Sequence, residues 1–150
     1  MNANQILDYI EFFKNNPRPE GKVTALGGGD TSFDEWYWKI IDKIDYPSDD
    51  SYKRISKLFD RMINFKVLEE YDVKLLNSIT GHKTSRLYSI VSKDITEYCS
   101  NDSWDDLSSY IVSKGKDFYN SVKENPEIIN KMLKDISYSE SFNYCFTDFI

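Results

Sequence analysis

Five acidic side chains, Asp94, Glu97, Asp102, Asp105 and Asp106, fall within thirteen residues around Trp104. Carboxylates at that density can ligate a divalent cation, act as a paired acid and base, or present charge to a basic partner. The spacing does not make a calcium loop, because the glycine and terminal glutamate of an EF-hand ladder are missing. Docking is the sharper functional use: charge steers the encounter and exposed Trp or Tyr side chains anchor it. Asp102, Asp105 and Asp106 are the expected contact residues, with Asp49 and Asp50 as a second acidic edge. The competing reading is an ordinary solvated face whose acids cap a helix.

Other chemistry has weaker support. His82, Cys99 and a nearby acid have the residue types of a thiol nucleophile and its base, but nothing in the sequence brings them together. Gly27-Gly28-Gly29 precedes a helix start as a phosphate loop would. It lacks the lysine and hydroxyl of G-x-x-x-x-G-K-[ST], and Asp30 would repel a phosphate. Cys99 and Cys145 show no zinc spacing, so they are expected to be free thiols in a reducing compartment. No metal or cofactor is expected.

These side chains need elements to hold them. The stretch from Tyr98 to Gly115 is expected to be the architectural centre. In it Ser103 should cap a helix, with Asp106 completing a capping box and Asp105 and Asp106 in the first turn. Trp104, Leu107, Ile111, Gly115, Phe118 and Val122 recur at steps of three and four, which predicts one continuous helix with Gly115 as a point of close approach.

Upstream, a helix over 4–15 is ended by Pro17. A Gly-rich irregular stretch near 17–31 follows, with Val23–Leu26 as a stub of extended chain. Ser32 and Glu35 predict a second capping box, opening a helix whose inward stripe is Phe33, Trp36, Tyr37, Ile40, Ile41 and Ile44. A turn at 46–50 leads to a third helix with Ile55, Leu58, Phe59 and Met62 on one face and Lys53, Arg54, Lys57 and Arg61 on the other. Val67, Leu68, Tyr71, Leu75, Leu76 and Ile79 predict further helix, either continuous with the third or kinked near Asn64. It breaks at Thr80–Thr84 and resumes from Ser85 through Leu87, Ile90, Val91 and Ile95 to Tyr98. Asn125-Pro126 restarts the chain as cap and first helical residue. The tail from Ser139 to Ile150 fits strand or helix. A lone strand would lack a partner, so helix is expected.

A chain of 150 residues is long enough for one domain with its own core. The expected fold is therefore all-α, a single bundle of six or seven helices. Nineteen basic and 25 acidic residues give a formal charge of −6. That sign disfavours nucleic acid and anionic membrane as partners and suits a basic protein. No apolar run reaches the roughly 20 residues of a membrane span, and the N-terminus lacks a cationic start, so a cytoplasmic protein is expected.

Cys99, Ser100, Asp102, Ser103 and Trp104, followed by Tyr110, Ile111, Gly115, Tyr119, Asn125 and Pro126, resemble a bacterial family catalogued as domain of unknown function 4240. That family has a Gly-Gly-Cys-Ser-Asp-Asp-Ser-Phe-type turn and an aromatic-rich helix. SFDEWYWKIID resembles its opening helix and SFNYCFTDFI its closing aromatic segment. The likeness covers roughly 32–150, with residues 1–31 as an addition. Glu97 and Tyr98 replace its glycines, and Ser108 stands where an arginine is common, so no role of that arginine carries over. The resemblance implies a small helical bacterial protein and brings no activity.

Two function classes follow. In the first, the protein binds another protein, as an immunity-type inhibitor occludes a basic toxin or enzyme. In the second, it is a small-ligand sensor or an enzyme with a pocket near the Cys99–Asp106 turn. A concave pocket with convergent polar groups favours the second, and a broad acidic–aromatic face the first.

Overall fold

Trp36, Tyr37 and Trp38 are consecutive in sequence and all buried. A helix with one apolar face cannot bury three successive side chains, so their helix must be covered from several sides. A computed structural model shows how. It describes residues 1–21, 31–46, 52–134 and 141–146. These carry seven α-helices: α1 (Ala3–Asn15), α2 (Thr31–Ile44), α3 (Tyr52–Asn64), α4 (Glu70–Val91), α5 (Asn101–Ser113), α6 (Lys116–Glu124) and α7 (Glu127–Lys134). Two 3-10 segments, Ser92–Asp94 and Ser141–Cys145, complete them, and there is no strand among the described residues. The fold is all-α. Val23–Leu26, Gly27–Gly29, Asp49 and Asp50 lie outside the described residues.

α5, within the Tyr98–Gly115 stretch, packs against α4, α6 and the closing 3-10 segment, and α2 reaches its neighbours through long side chains. Its Tyr37 hydroxyl lies 2.6 Å from Thr80 Oγ1 on α4, and Trp38 packs on Tyr119 of α6 at 5.4 Å between ring centroids. On another side Lys43 pairs with Asp8 of α1, and Tyr46, just beyond the helix, meets Phe142 of the closing 3-10 segment. Among its described side chains seven are therefore buried: the six expected ones and Trp38. The helix already begins at Thr31, so Ser32 lies in its first turn and is not its N-cap. A capping box does start α1, where Asn2 Oδ1 accepts from the Gln5 amide at 2.9 Å and Gln5 returns the bond.

Three expected boundaries are corrected. Thr80–Thr84 is no break, because α4 runs through it for 22 residues. Two of the polar residues there, Thr80 and Lys83, are buried against partners. Thr80 donates to the Leu76 carbonyl while meeting Tyr37, and the buried Lys83 reaches Asp34 at 2.6 Å. The chain instead breaks at 65–69, between α3 and α4, next to the Asn64 kink that the sequence offered. Helix also does not extend to Tyr98. After Val91 the chain makes one 3-10 turn and runs irregularly to Ser100, with Ile90 and Tyr98 exposed.

The third correction is Gly115. It does not continue one long helix but separates α5 from α6, at φ 98° and ψ 175°. That region of backbone space is essentially closed to residues with a Cβ. A Cβ there would also overlap Asp42 Oδ1 of α2, so the close approach expected at Gly115 is present, at a break instead of on a helical face. The helix expected in the tail is present at Ser141–Cys145 as a 3-10 helix, while residues 139–140 and 147–150 lie outside the described residues. The tail's Phe142, Cys145 and Phe146 are buried between α3 and α5, Phe146 stacking on Phe59 at 5.8 Å.

Candidate functional site

Thr84, Ser85, Tyr88 and Ser89 recur at steps of one and four, which puts them on one face of α4. Opposite stand Cys99, Ser100, Asn101, Trp104 and Asp105, from the turn before α5 and its first turns. Between them lies a cleft of about 430 Å³. The nearly buried Trp104 and the half-exposed Tyr88 meet edge-on at 5.2 Å. Thr84 and Ser89 hydroxyls donate to the Gly81 and Ser85 carbonyls of their own helix. A hydroxyl can rotate to serve a ligand instead.

The turn entering α5 is held in two ways. Ser100, with ψ 166°, is the N-cap: its Oγ accepts from the Ser103 amide at 3.1 Å. Ser103 is therefore not the cap expected, and Asp102, not Asp105 or Asp106, stands in the first helical turn. Ser100 has the extended backbone a cap requires, so it wins over the hydroxyl three residues later. Ser100→Ala is expected to cost about 1 kcal/mol. Ser103→Ala should cost less, because it removes only the hydroxyl that Ser100 Oγ bonds at 2.9 Å. Denaturant midpoints of the two variants check the order.

The second support is Asn130 of α7, buried to 2% exposure. Its Oδ1 accepts from the Thr96 amide at 2.9 Å and the Glu97 amide at 3.4 Å, and its Nδ2 donates to the Asp94 carbonyl at 3.0 Å. One side chain thus holds the irregular chain leading into the cleft. Sequence reasoning missed it. The signal is a lone Asn beside Ile128 and Ile129 in an apolar helix, where a buried amide must find partners.

Asp102 and Asp105 are exposed one turn apart on α5, and Asp105 also forms part of the cleft wall. Asp106 is half-buried and already engaged in an interaction. Glu97 turns away to Lys134 of α7 at 3.3 Å, a surface pair. Tyr98, 89% exposed, stands beside the cleft residue Cys99 as the most exposed aromatic of this end. Asp102 and Asp105 therefore stand exposed one turn apart, Asp106 is half-buried, and Glu97 pairs with Lys134.

Nucleophilic chemistry finds no support. Burial pushes the Cys99 thiol above its usual range, the opposite of what an activated nucleophile needs. His82 is exposed in a separate hollow with Ser78, Gly81 and Ser85, not among the residues lining the Cys99 cleft. Cys145 is buried and pushed up to about 12 by desolvation. No group of three or more His, Cys, Asp or Glu able to hold a metal occurs among the described residues, and no described helix is long and apolar enough to cross a membrane.

The family described as "Protein of unknown function (DUF4240)" matches residues 34–148. No curated protein and no solved structure matches the chain.

Proposed function

The chain belongs to the family of unknown function DUF4240, and we propose that it acts by binding a basic protein at the α4–α5 cleft. The observation that carries this reading is one surface with three properties. A carboxylate, Asp105, lies on the wall of a cleft with an aromatic pair, a second carboxylate lies one turn away, and exposed Tyr98 stands at the turn. Carboxylates with aromatic faces suit a lysine or arginine side chain, which gains both an ion pair and contact with a π face. The partner's basic residue would enter between Tyr88 and Asp105 while Tyr98 and Asp102 contact its surroundings. Occlusion then suffices, in the manner of an immunity protein covering a basic active site, with no covalent step. A formal charge of −6 accelerates encounter with such a partner, the more so at low salt.

Asp102→Lys with Asp105→Lys is expected to abolish capture of the partner. Both side chains are exposed, and the main stability cost is the loss of Asp102 from the first turn, about 0.3–1 kcal/mol. The measurement is affinity capture from cells of the source organism with both forms, followed by quantitative binding of the purified partner. The partner should be basic, lost to the reversed form, and released by raised salt. A partner held equally by both forms excludes this face.

The cleft's volume of about 430 Å³ also lies within the range of small-molecule sites. Its row of hydroxyls favours a polar ligand, the sensor reading. Saturable quenching of tryptophan fluorescence by a small molecule, with no protein partner captured, would select that reading.

A further inference from the structure

A second hollow, of opposite charge, lies between α1 and α3. Arg54, Lys57 and Arg61 recur at steps of three and four and therefore share one face of α3. With Met1, Ile6 and Leu58 they line a cleft of about 280 Å³. Ile6 and Leu58 are buried and supply apolar walls, whereas the three cations are exposed at the rim. Among the described residues none of the three takes part in an ion pair, and Asp60 on the same helix is joined to none of them.

Acids outnumber bases by 25 to 19, and four described cations pair with acids, Arg18 with Asp72, Lys43 with Asp8, Lys83 with Asp34 and Lys134 with Glu97, whereas the three here share one cleft without an acid among its lining residues. Three unmatched positive charges along about 10 Å of helix repel one another, and an anion seated among them would relieve that repulsion. Two guanidinium groups present the planar donor forks that fit phosphate oxygens in pairs, and the ammonium between them adds a point charge. A dianion uses this set better than a monoanion. The apolar walls ask for a hydrocarbon part, and the volume limits it to a small one.

We propose that the α1–α3 cleft binds a phosphate monoester carried on a small apolar group, with Arg54, Lys57 and Arg61 holding the phosphate and Ile6 and Leu58 the apolar part. The ester can be a free small molecule or a phosphorylated side chain of a protein. Both present the same chemistry to the cleft.

Titration calorimetry of the intact protein with hexyl phosphate, inorganic phosphate, hexanoate and a short phosphoserine peptide tests the assignment. Hexyl phosphate should bind saturably, and about tenfold or more tightly than either inorganic phosphate or hexanoate, because each of those lacks one half of the ligand. Arg54→Gln with Arg61→Gln should weaken hexyl phosphate by about tenfold or more. Helical circular dichroism and the thermal midpoint should hold, since both residues are exposed. Tighter binding of the phosphoserine peptide than of hexyl phosphate assigns the ester to a protein, and the reverse order assigns it to a free molecule. Absence of saturable binding, binding indifferent to the double substitution, or hexanoate binding as tightly as hexyl phosphate would overturn the proposal.

Discussion

Gly115→Ala is expected to lower stability by about 2–4 kcal/mol, read from the denaturant midpoint at constant slope. Two terms add. The backbone at φ 98° and ψ 175° costs a residue with a Cβ roughly 1–3 kcal/mol. The new methyl group also overlaps Asp42 Oδ1, and Asp42 must move to admit it. That carboxyl is already uncomfortable: burial first, then the charges of Asp117 and Asp45, raise it above the usual carboxylate range, against the Lys116 amide that lowers it. Asp42→Ala in the Gly115→Ala background should recover the overlap and leave the backbone term. A double-mutant cycle separates them. A single variant within about 0.5 kcal/mol of the parent, the ordinary range of a neutral surface change, would refute the account.

Asp34→Ala is expected to cost about 3 kcal/mol, far beyond an exposed ion pair. The asymmetry of burial decides this. Lys83 is 3% exposed in its side chain whereas Asp34 is 36% exposed, so removing the acid strands a charge that water cannot reach. The rings of Trp38 and Tyr37, with the ammonium 5.2 Å and 5.8 Å from their centroids, soften the loss without cancelling it. Lys83→Met should cost much less, since it removes the buried charge together with its need for a partner. Adding Lys83→Met to Asp34→Ala should restore most of the stability. Thermal midpoints of the three variants decide the matter, and equal losses from Asp34→Ala and Lys83→Met would defeat this reasoning.

How far the sequence disclosed the fold can be judged from these same residues. The all-α class was legible because Ile6 and Phe13, Ile55 to Met62, and Leu107 to Val112 repeat at helical spacing. Burial follows that spacing with few exceptions. Boundaries were harder, and the errors share a cause. A polar run reads as a break when its partners are unknown: Thr80 and Lys83 look like loop residues until Tyr37 and Asp34 stand opposite them. The same blindness placed the cap at Ser103, since Ser100, Asn101, Asp102 and Ser103 all have capping side chains and only the backbone at Ser100 chooses among them. In the candidate site, the acids were visible by type. Tyr88 and the α4 hydroxyls were not assigned to it, because only the packing of α4 on α5 makes them neighbours of Trp104.

The closing 3-10 segment has a consequence for how the protein is made. Phe142 and Phe146 seat against Tyr46 and Phe59, partners roughly ninety residues earlier in the chain. During synthesis at about 5–20 residues per second, α1 to α7 leave the ribosome before the side chains that fill the space between α3 and α5. For several seconds the nascent helices have an open apolar seam, and that is when chaperones or neighbouring chains have access to it. Closure of the core therefore waits for Phe142 and Phe146, and a message cut short before codon 142 would yield helices without their plug.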